Sequence, residues 1–280
     1  MIGLHVPQAT AGSCALNGVA NARIHRETPF TQQYLQAAAS DDGTCLGAAY
    51  WIWHNVLGRT ERFHMQHAFW GPGYADERIR TVAEASGYQV HACADEAKLV
   101  EVAASLIADG LVTGWYQGRS EWGPRALGNR SILANPAVPT MKDTINAKIK
   151  RRESFRPFAP SVLREEVGTY FEQTLDSPFM QHVVKIRPEW RERLPAVTHV
   201  DGTGRLQTVD KESNPLYHAL ISALQKRTGV GMVLNTSFNE NEPVVDTPEQ
   251  ALDCFVRTDM DALCLGRWVL IKRPVIKELP

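Results

Sequence analysis

Leu111-Val112-Thr113-Gly114-Trp115-Tyr116 runs, through Gln117, into Gly118-Arg119-Ser120-Glu121-Trp122-Gly123-Pro124-Arg125-Ala126-Leu127-Gly128-Asn129-Arg130-Ser131. The first six residues read as a strand, and the strand feeds directly into a loop with three arginines and three glycines in fourteen residues. Guanidinium forks take phosphate oxygens two at a time, and glycines let backbone N–H groups approach the same oxygens. The competing account is surface arginines paired with acids such as Glu121. Against it stand the Gly123-Pro124 turn and Gly128, which make a loop with several backbone donors. No GxxxxGK[ST] pattern occurs, so this is not a Walker A loop. The expectation is a loop that binds phosphate at a strand end.

Working outward, residues 11–24 read as a small-residue turn leading into a helix. Ser40-Asp41-Asp42-Gly43-Thr44 is a polar turn, with a helix over the apolar stretch Cys45 to Leu57. Trp70-Gly71-Pro72-Gly73 is a break, taken as a domain boundary. Ala94 to Ala108 carries a helical stripe at Leu99, Val102, Ala103, Leu106 and Ile107, with Asp95 at its start and Gly110 beyond its end. Leu216 to Leu224 reads as a helix and Gly231 to Leu234 as a short buried strand, followed by the polar turn Asn235-Thr236-Ser237-Phe238-Asn239. Thr247, Pro248 and Gln250 supply a cap, a first-turn proline and a capping box. Asp261 to Ile271 reads as a returning strand. Alternating strands and helices give an α/β fold with its polar turns at strand ends, where such folds place ligands.

Lys+Arg total 30 against 31 Asp+Glu, so cation clusters sit in a near-neutral chain. That suits a pocket for a small polyanion and argues against a nucleic-acid binder, which shows a broad positive excess. No apolar run is long enough for a transmembrane helix, and Met1 to Pro7 lacks the pattern of a secretory signal. Five dispersed cysteines without a CxxC pair fit reduced thiols, and the expected location is cytoplasmic.

A second basic run spans Lys148 to Arg156. Cations at a helix C-terminus explain Lys148 to Arg152. Arg156, between Phe155 and Pro157-Phe158, is expected in a compact apolar setting where it needs a partner. The Asn235–Asn239 segment is either a simple turn or a set of groups for a ribose, base or carbonyl. His199-Val200-Asp201-Gly202-Thr203-Gly204-Arg205 is either a salt-bridged loop or a ligand turn. Asp41-Asp42 is a solvated turn or a metal pair. His64 and His67 stand at a spacing that shares a helix face, without a ligand signature around them.

Taken together these segments resemble the O-carbamoyltransferases of the nodulation-factor and antibiotic-tailoring type. The resemblance rests on Ala15-Leu16-Asn17 with Asn21, Asp41 to Thr44 with Leu46-Gly47-Ala48-Ala49, the loop at 118–131, Lys150 to Ser161, His199 to Thr203, Asn235 to Asn239, and Pro243. It implies a C-terminal domain similar to threonylcarbamoyl-adenylate synthase at residues 76–280, where carbamoyl phosphate and ATP yield carbamoyl adenylate by way of carbamate. It implies that residues 1–75 are the end of an actin-like domain that passes the carbamoyl group to a small-molecule hydroxyl acceptor. By matched position, Arg125, Lys150, Arg156 and Arg205 hold phosphate and carbamoyl oxygens, and Asn235 and Ser237 complete that pocket. Gly12 and Asn17 belong to a nucleotide-side turn, Asp41 to a metal site of iron type (Fe2+), and Mg2+ accompanies ATP.

The chain departs from that family in length, in lacking the histidine-rich metal motif, and in reading Gly12-Ser13 where a Gly-Gly turn is expected. The resemblance therefore leaves three expectations. One is an activating enzyme. A second is one half of a split carbamoyltransferase that needs a partner chain. The third is a truncated nucleotide-binding remnant without turnover. An RNA-modification role draws on fold analogy alone.

Overall fold

The computed structural model describes residues 7–10, 12–30 and 32–272. Strand β1 (Pro7–Thr10) and a single 3-10 turn (Ser13–Leu16) lead to helix α1 (Gly18–Glu27), whose first turn is capped by the Asn17 side chain accepting from Ala20 N. Strand β2 (Gln32–Leu35) pairs in parallel with β1, and these two form a separate ribbon. A short 3-10 turn (Asp41–Gly43) opens helix α2 (Thr44–Trp51), which continues as one π-helical turn (Ile52–Val56). The predicted helix is there, but α2 buries none of its residues. The segment with His64 and His67 has no regular secondary structure, so the two imidazoles do not share a helix face.

Next come α3 (Asp76–Glu84), β3 (Gln89–Ala92), α4 (Glu96–Ala108) and β4 (Thr113–Tyr116). Asp95 caps α4 by accepting from Lys98 N, as its place before the apolar stripe predicts. Then follow β5 (Arg130–Ala134), α5 (Met141–Lys148), β6 (Ala159–Leu163), the single-turn α6 (Val167–Tyr170), β7 (His182–Lys185) and the single-turn α7 (Pro188–Arg191). The chain closes with β8 (Thr203–Val209), α8 (Pro215–Thr228), β9 (Met232–Ser237), α9 (Pro248–Arg257), β10 (Ala262–Leu265) and β11 (Trp268–Ile271). Both capping-box bonds of α9 form.

Nine strands make one mixed sheet in the order β3-β11-β10-β4-β5-β9-β6-β8-β7, which bears out the α/β expectation. Helices α4 and α8 pack Leu99, Leu106, Leu220 and Leu224 on one face, against Trp115, Leu133 and Val233. Helices α3, α5 and α9 cover the other face through Ile79, Ile145 and Phe255, against Tyr116, Ile132 and Leu234. Two sequence expectations change. Asn235 and Ser237 belong to the end of β9 rather than to a turn. The stretch Asp261–Ile271 is a hairpin, because Gly266 takes φ +56° and reverses the chain between β10 and β11.

The N-terminal segment is bound to the edge of this sheet. Asn21 Nδ2 donates to Ala15 O (2.7 Å) and across to Gln181 O (2.9 Å), and Gln181 Nε2 donates back to Gln36 O (2.6 Å). Ala37, Met65 and Ala68 pack with Leu127, Phe179 and Met180 in an apolar seam. His182, buried at the start of β7, bridges Ser177 Oγ and Gln33 Oε1 at 3.0 Å each.

Burial first, then His25, hold the His182 imidazole down at about 4, below its ordinary 6.5. Between those values the unfolded chain binds a proton that the folded chain rejects. Stability is therefore lost as pH falls through the window, by up to ~3 kcal/mol. Denaturant titrations between about pH 7 and about pH 4 are expected to show this slope in the wild type and a flatter one in His182→Asn. Equal slopes would refute it.

Candidate functional site

The loop that joins β4 to β5 is closed at its base by the Tyr116–Arg130 pairing and by Gln117 N donating to Asn129 O (2.9 Å). Its interior is organised by Glu121. One carboxylate oxygen accepts from Leu127 N (2.7 Å), Asn129 N (2.8 Å) and Arg130 N (3.3 Å), and Gly128 N donates to Ser131 Oγ (3.1 Å). The loop amides at 127–130 are thus occupied from within, and the expectation that they cradle a phosphate is corrected. Gly128 has a different task. Its φ is +109°, and a Cβ there would stand 2.3 Å from the Tyr217 ring of α8.

The three arginines separate by role. Arg119 donates to Gly71 O (2.8 Å) and Trp70 O (2.9 Å), stapling the Trp70–Gly73 break to the loop. Arg130 is fully buried, donates to the carbonyls of Gln117, Asn129, Gly118 and Asp246, and lies 3.7 Å from the Tyr116 ring centroid. Both therefore hold the loop's shape. Arg125 alone of the three has no partner among the described residues. Its Nε is buried and makes no hydrogen bond, and burial followed by the nearby Arg205 pulls the guanidinium down to about 10. It lines a cavity of about 430 Å³ with Glu121, Trp122, Val244 and Asp246.

Arg205, on β8, is also lowered by burial and has no carboxylate partner among the described residues. Asp201 does not pair with it. That carboxylate accepts instead from Thr203 N (3.0 Å) and Thr203 Oγ1 (2.6 Å) in its own turn. His199 sits close to Arg205, is lowered by burial and then by that charge, and has an Nε2 without a partner. Arg152, which sequence reasoning missed, joins the group. Burial lowers it first, followed by its neighbours Arg156 and Arg205. Asn146 of α5 positions this segment by accepting from Arg152 Nε (2.7 Å) and donating to Arg156 O (3.0 Å).

Arg156 corrects an expectation. It is not in a compact apolar setting, since its side chain is 55% exposed, Phe155 beside it is exposed, and Glu153 pairs with it at 3.2 Å. A guanidinium in water needs no buried partner, and this one is at the rim of the cluster.

Lys150 and Ser237 do come together. The buried ammonium donates to Ser237 O (2.6 Å), Asn239 O (2.7 Å) and Asn239 Oδ1 (2.6 Å), while burial and then Arg152 draw it down to about 7. Asn235 Nδ2 donates to Ala126 O (3.1 Å), Ser161 Oγ (3.1 Å) and Gln207 Oε1 (2.9 Å), next to Arg125 in the chain. Its own Oδ1 is buried without a donor. Gln207 was missed as well, and Ser161 was given no role although it closes the Lys150 to Ser161 segment, because only the sheet brings the two strands together.

Gly12 and Asn17 stand exposed before α1, the latter engaged in capping, and neither hydrogen-bonds to the arginine cluster. Asp41 is exposed, and among the described residues no three His, Cys, Asp or Glu side chains converge to hold a metal. A larger cavity of about 760 Å³ opens at the N-termini of α4 and α8. Arg119, already engaged elsewhere, is the one loop arginine lining it, so the chemistry points to the cluster around Arg125.

Like charges buried together without acids are destabilising until an anion joins them. Inorganic pyrophosphate is therefore expected to raise the melting temperature of the wild type. Arg125→Met is expected to lose that rise while melting at least as high as the wild type without ligand. A full pyrophosphate response in Arg125→Met, followed by thermal unfolding, would remove Arg125 from the anion site.

Comparison with known proteins meets this geometry. The family described as Carbamoyltransferase C-terminus matches residues 104–272, which contain the whole cluster, and Carbamoyltransferase N-terminus matches residues 7–50. The nodulation protein NolNO of Sinorhizobium fredii is 46% identical over 276 residues, covering 96% of this chain and 40% of its own. The 3'-hydroxymethylcephem-O-carbamoyltransferase of Streptomyces clavuligerus is 34% identical, covering 84% of this chain and 43% of its own. The chain thus spans less than half the length of these relatives. A crystal structure of full-length HypF in its phosphate- and nucleotide-bound form overlaps 86% of this chain and 28% of its own at TM-score 0.41 and 16% identity, too distant to bear on the fold or the chemistry. The match over residues 104–272 covers more than half of the 280-residue sequence, and the chain belongs to the carbamoyltransferase family.

Proposed function

We propose that the cluster binds carbamoyl phosphate and ATP and forms carbamoyl adenylate for O-carbamoylation of a small-molecule hydroxyl. The observation that carries this reading is a matched pair of vacancies in the hydrogen bonding. Arg125 and Arg205 are half-buried cations with no acid partner among the described residues, and Asn235 Oδ1 is a buried acceptor without a donor there. An anionic phosphate answers the first and a carbamoyl NH2 answers the second. Carbamoyl phosphate carries both groups.

In this reading Arg125 and Arg205 hold the phosphate, and Arg152 with the exposed Arg156 meets the triphosphate of ATP. Loss of phosphate from carbamoyl phosphate to water leaves carbamate. A carbamate oxygen then attacks the α-phosphorus of ATP, the bond to the β-phosphate oxygen breaks, and pyrophosphate leaves. The acceptor hydroxyl next attacks the carbamoyl carbon, releasing AMP and a proton. The cations neutralise charge that builds on the phosphates, which is the main need of such transfers. Lys150 fixes the Ser237–Asn239 strand end beside them. Mg2+ accompanies ATP as its counter-ion. The iron centre has no ligand set among the described residues, and no step is drawn through it.

The second reading is nucleotide binding without turnover. Pyrophosphate release from ATP separates the two. Release is expected to depend on carbamoyl phosphate and to drop about a hundredfold or more in Arg125→Ala and Arg205→Ala. Release that ignores carbamoyl phosphate, or persists at the wild-type rate in both variants, would overturn the assignment. Nucleotide binding without release would favour the second reading.

A further inference from the structure

Building on the carbamoyl phosphate reading above, we infer that His199 is the general base of its first step, with Nε2 taking a proton from the water that attacks the carbamoyl carbon. His199 to Thr203 is a tight turn leading into β8. His199 N donates to Thr203 O (2.7 Å), Gly202 N donates to His199 O (2.9 Å), and Gly202 takes φ +75°. Three side chains in this turn form a relay whose proton positions follow from their chemistry. The Thr203 hydroxyl, first among several donors and charges, holds Asp201 below the usual carboxylate range, so that group is ionised and only accepts. Its Oδ1 is 2.6 Å from Thr203 Oγ1, which spends the one hydroxyl proton on the carboxylate. Thr203 Oγ1, 2.9 Å from His199 Nδ1, must then accept, and this puts the ring proton on Nδ1. Nε2 keeps a bare lone pair, buried and without a partner among the described residues. A buried acceptor left unmet costs stability, and a catalytic role is one reason for a fold to keep it.

The surroundings suit a base. Burial first, then Arg205 of β8, lower the imidazole, Asp201 in its own turn raises it, and Lys142 of α5 lowers it a little further. The ring is therefore neutral at neutral pH. Other groups near the cluster are committed. Glu121 Oε1 holds three loop amides, and Asp246 accepts from Tyr74 Oη and Ser120 Oγ. His182 has both ring nitrogens engaged. In the step, the water oxygen bonds to the carbamoyl carbon while its proton passes to Nε2. The carbon–oxygen bond to phosphate breaks, and the electron pair leaves with the phosphate, which then takes the proton from the imidazolium. The carbamic acid left behind ionises to carbamate. Arg205, a like charge beside the imidazolium, favours the return of the ring to neutrality.

Orthophosphate release from carbamoyl phosphate without ATP reads this step by itself. The wild type is expected to exceed the protein-free rate and to slow as pH falls below the imidazole range. His199→Asn, whose amide can still donate to Thr203, is expected to lose about a hundredfold in rate and the acid limb with it. Thr203→Val, which removes the hydroxyl from the relay, is expected to slow the step, and Thr203→Ser to restore it. With ATP present, carbamate formed from ammonium bicarbonate bypasses the step. Pyrophosphate release by His199→Asn is therefore expected to recover with ammonium bicarbonate and not with carbamoyl phosphate. A wild-type rate in His199→Asn, an acid limb that survives in it, or an equal loss with both carbamoyl sources would overturn the assignment. Orthophosphate release that depends on His199, from a chain that frees no pyrophosphate, would uphold the base and refute adenylate formation instead.

Discussion

The Glu121 carboxylate is the fixed point of this molecule. By drawing three backbone amides of the β4–β5 loop onto one oxygen it turns a long, glycine-rich connection into a rigid one. Hydrogen bonds to a charged acceptor contribute about 1.5–3 kcal/mol each, and the loop would otherwise carry a large conformational entropy. Arg130, stacked on Tyr116 and bound to four carbonyls, closes the same loop from beneath. With those two charges turned inward, Arg125 is the one loop arginine without a partner among the described residues, and it feels the charge of Arg205 nearby.

Such a division of labour explains why local sequence singled out the loop while misreading what its backbone donors do. The stretch 118–131 has the composition of a phosphate cradle, yet its donors serve the fold. The distinction between a structural and a binding arginine depends on which carbonyls lie within reach, and those of Gly71 and Asp246 come from distant parts of the chain. The caps of α4 and α9 were legible because the residues that decide them lie within four positions of one another. The hairpin at Gly266 was not, since an unbroken apolar run from Ala262 to Leu265 and again from Trp268 hides a two-residue reversal.

At the cluster itself, Arg125, Arg205, Lys150, Asn235 and Ser237 could be named from sequence, but their surroundings could not. Asn146, Arg152, Ser161 and Gln207 come from α5, the segment after it, β6 and β8, and only the sheet order brings them beside one another. Arg156 shows the converse error. Flanking aromatic residues suggested burial, but Phe155 faces solvent and the arginine with it. Apolar neighbours in sequence are weak evidence of a buried backbone when a loop separates helix from strand.

Sheet order also carries a consequence for how the chain reaches its structure. Strand β4, near the middle of the sheet, pairs on one side with β5, the next strand in the chain, and on the other with β10, formed by Ala262–Leu265. During synthesis that second edge has no partner until β10 has been made, long after β4. A buried-type strand with an open edge is a template for wrong pairing, and contacts of such sequence separation form slowly. Strand β10, made long after β4, is therefore what shields the middle of the sheet from its neighbours in a crowded cell.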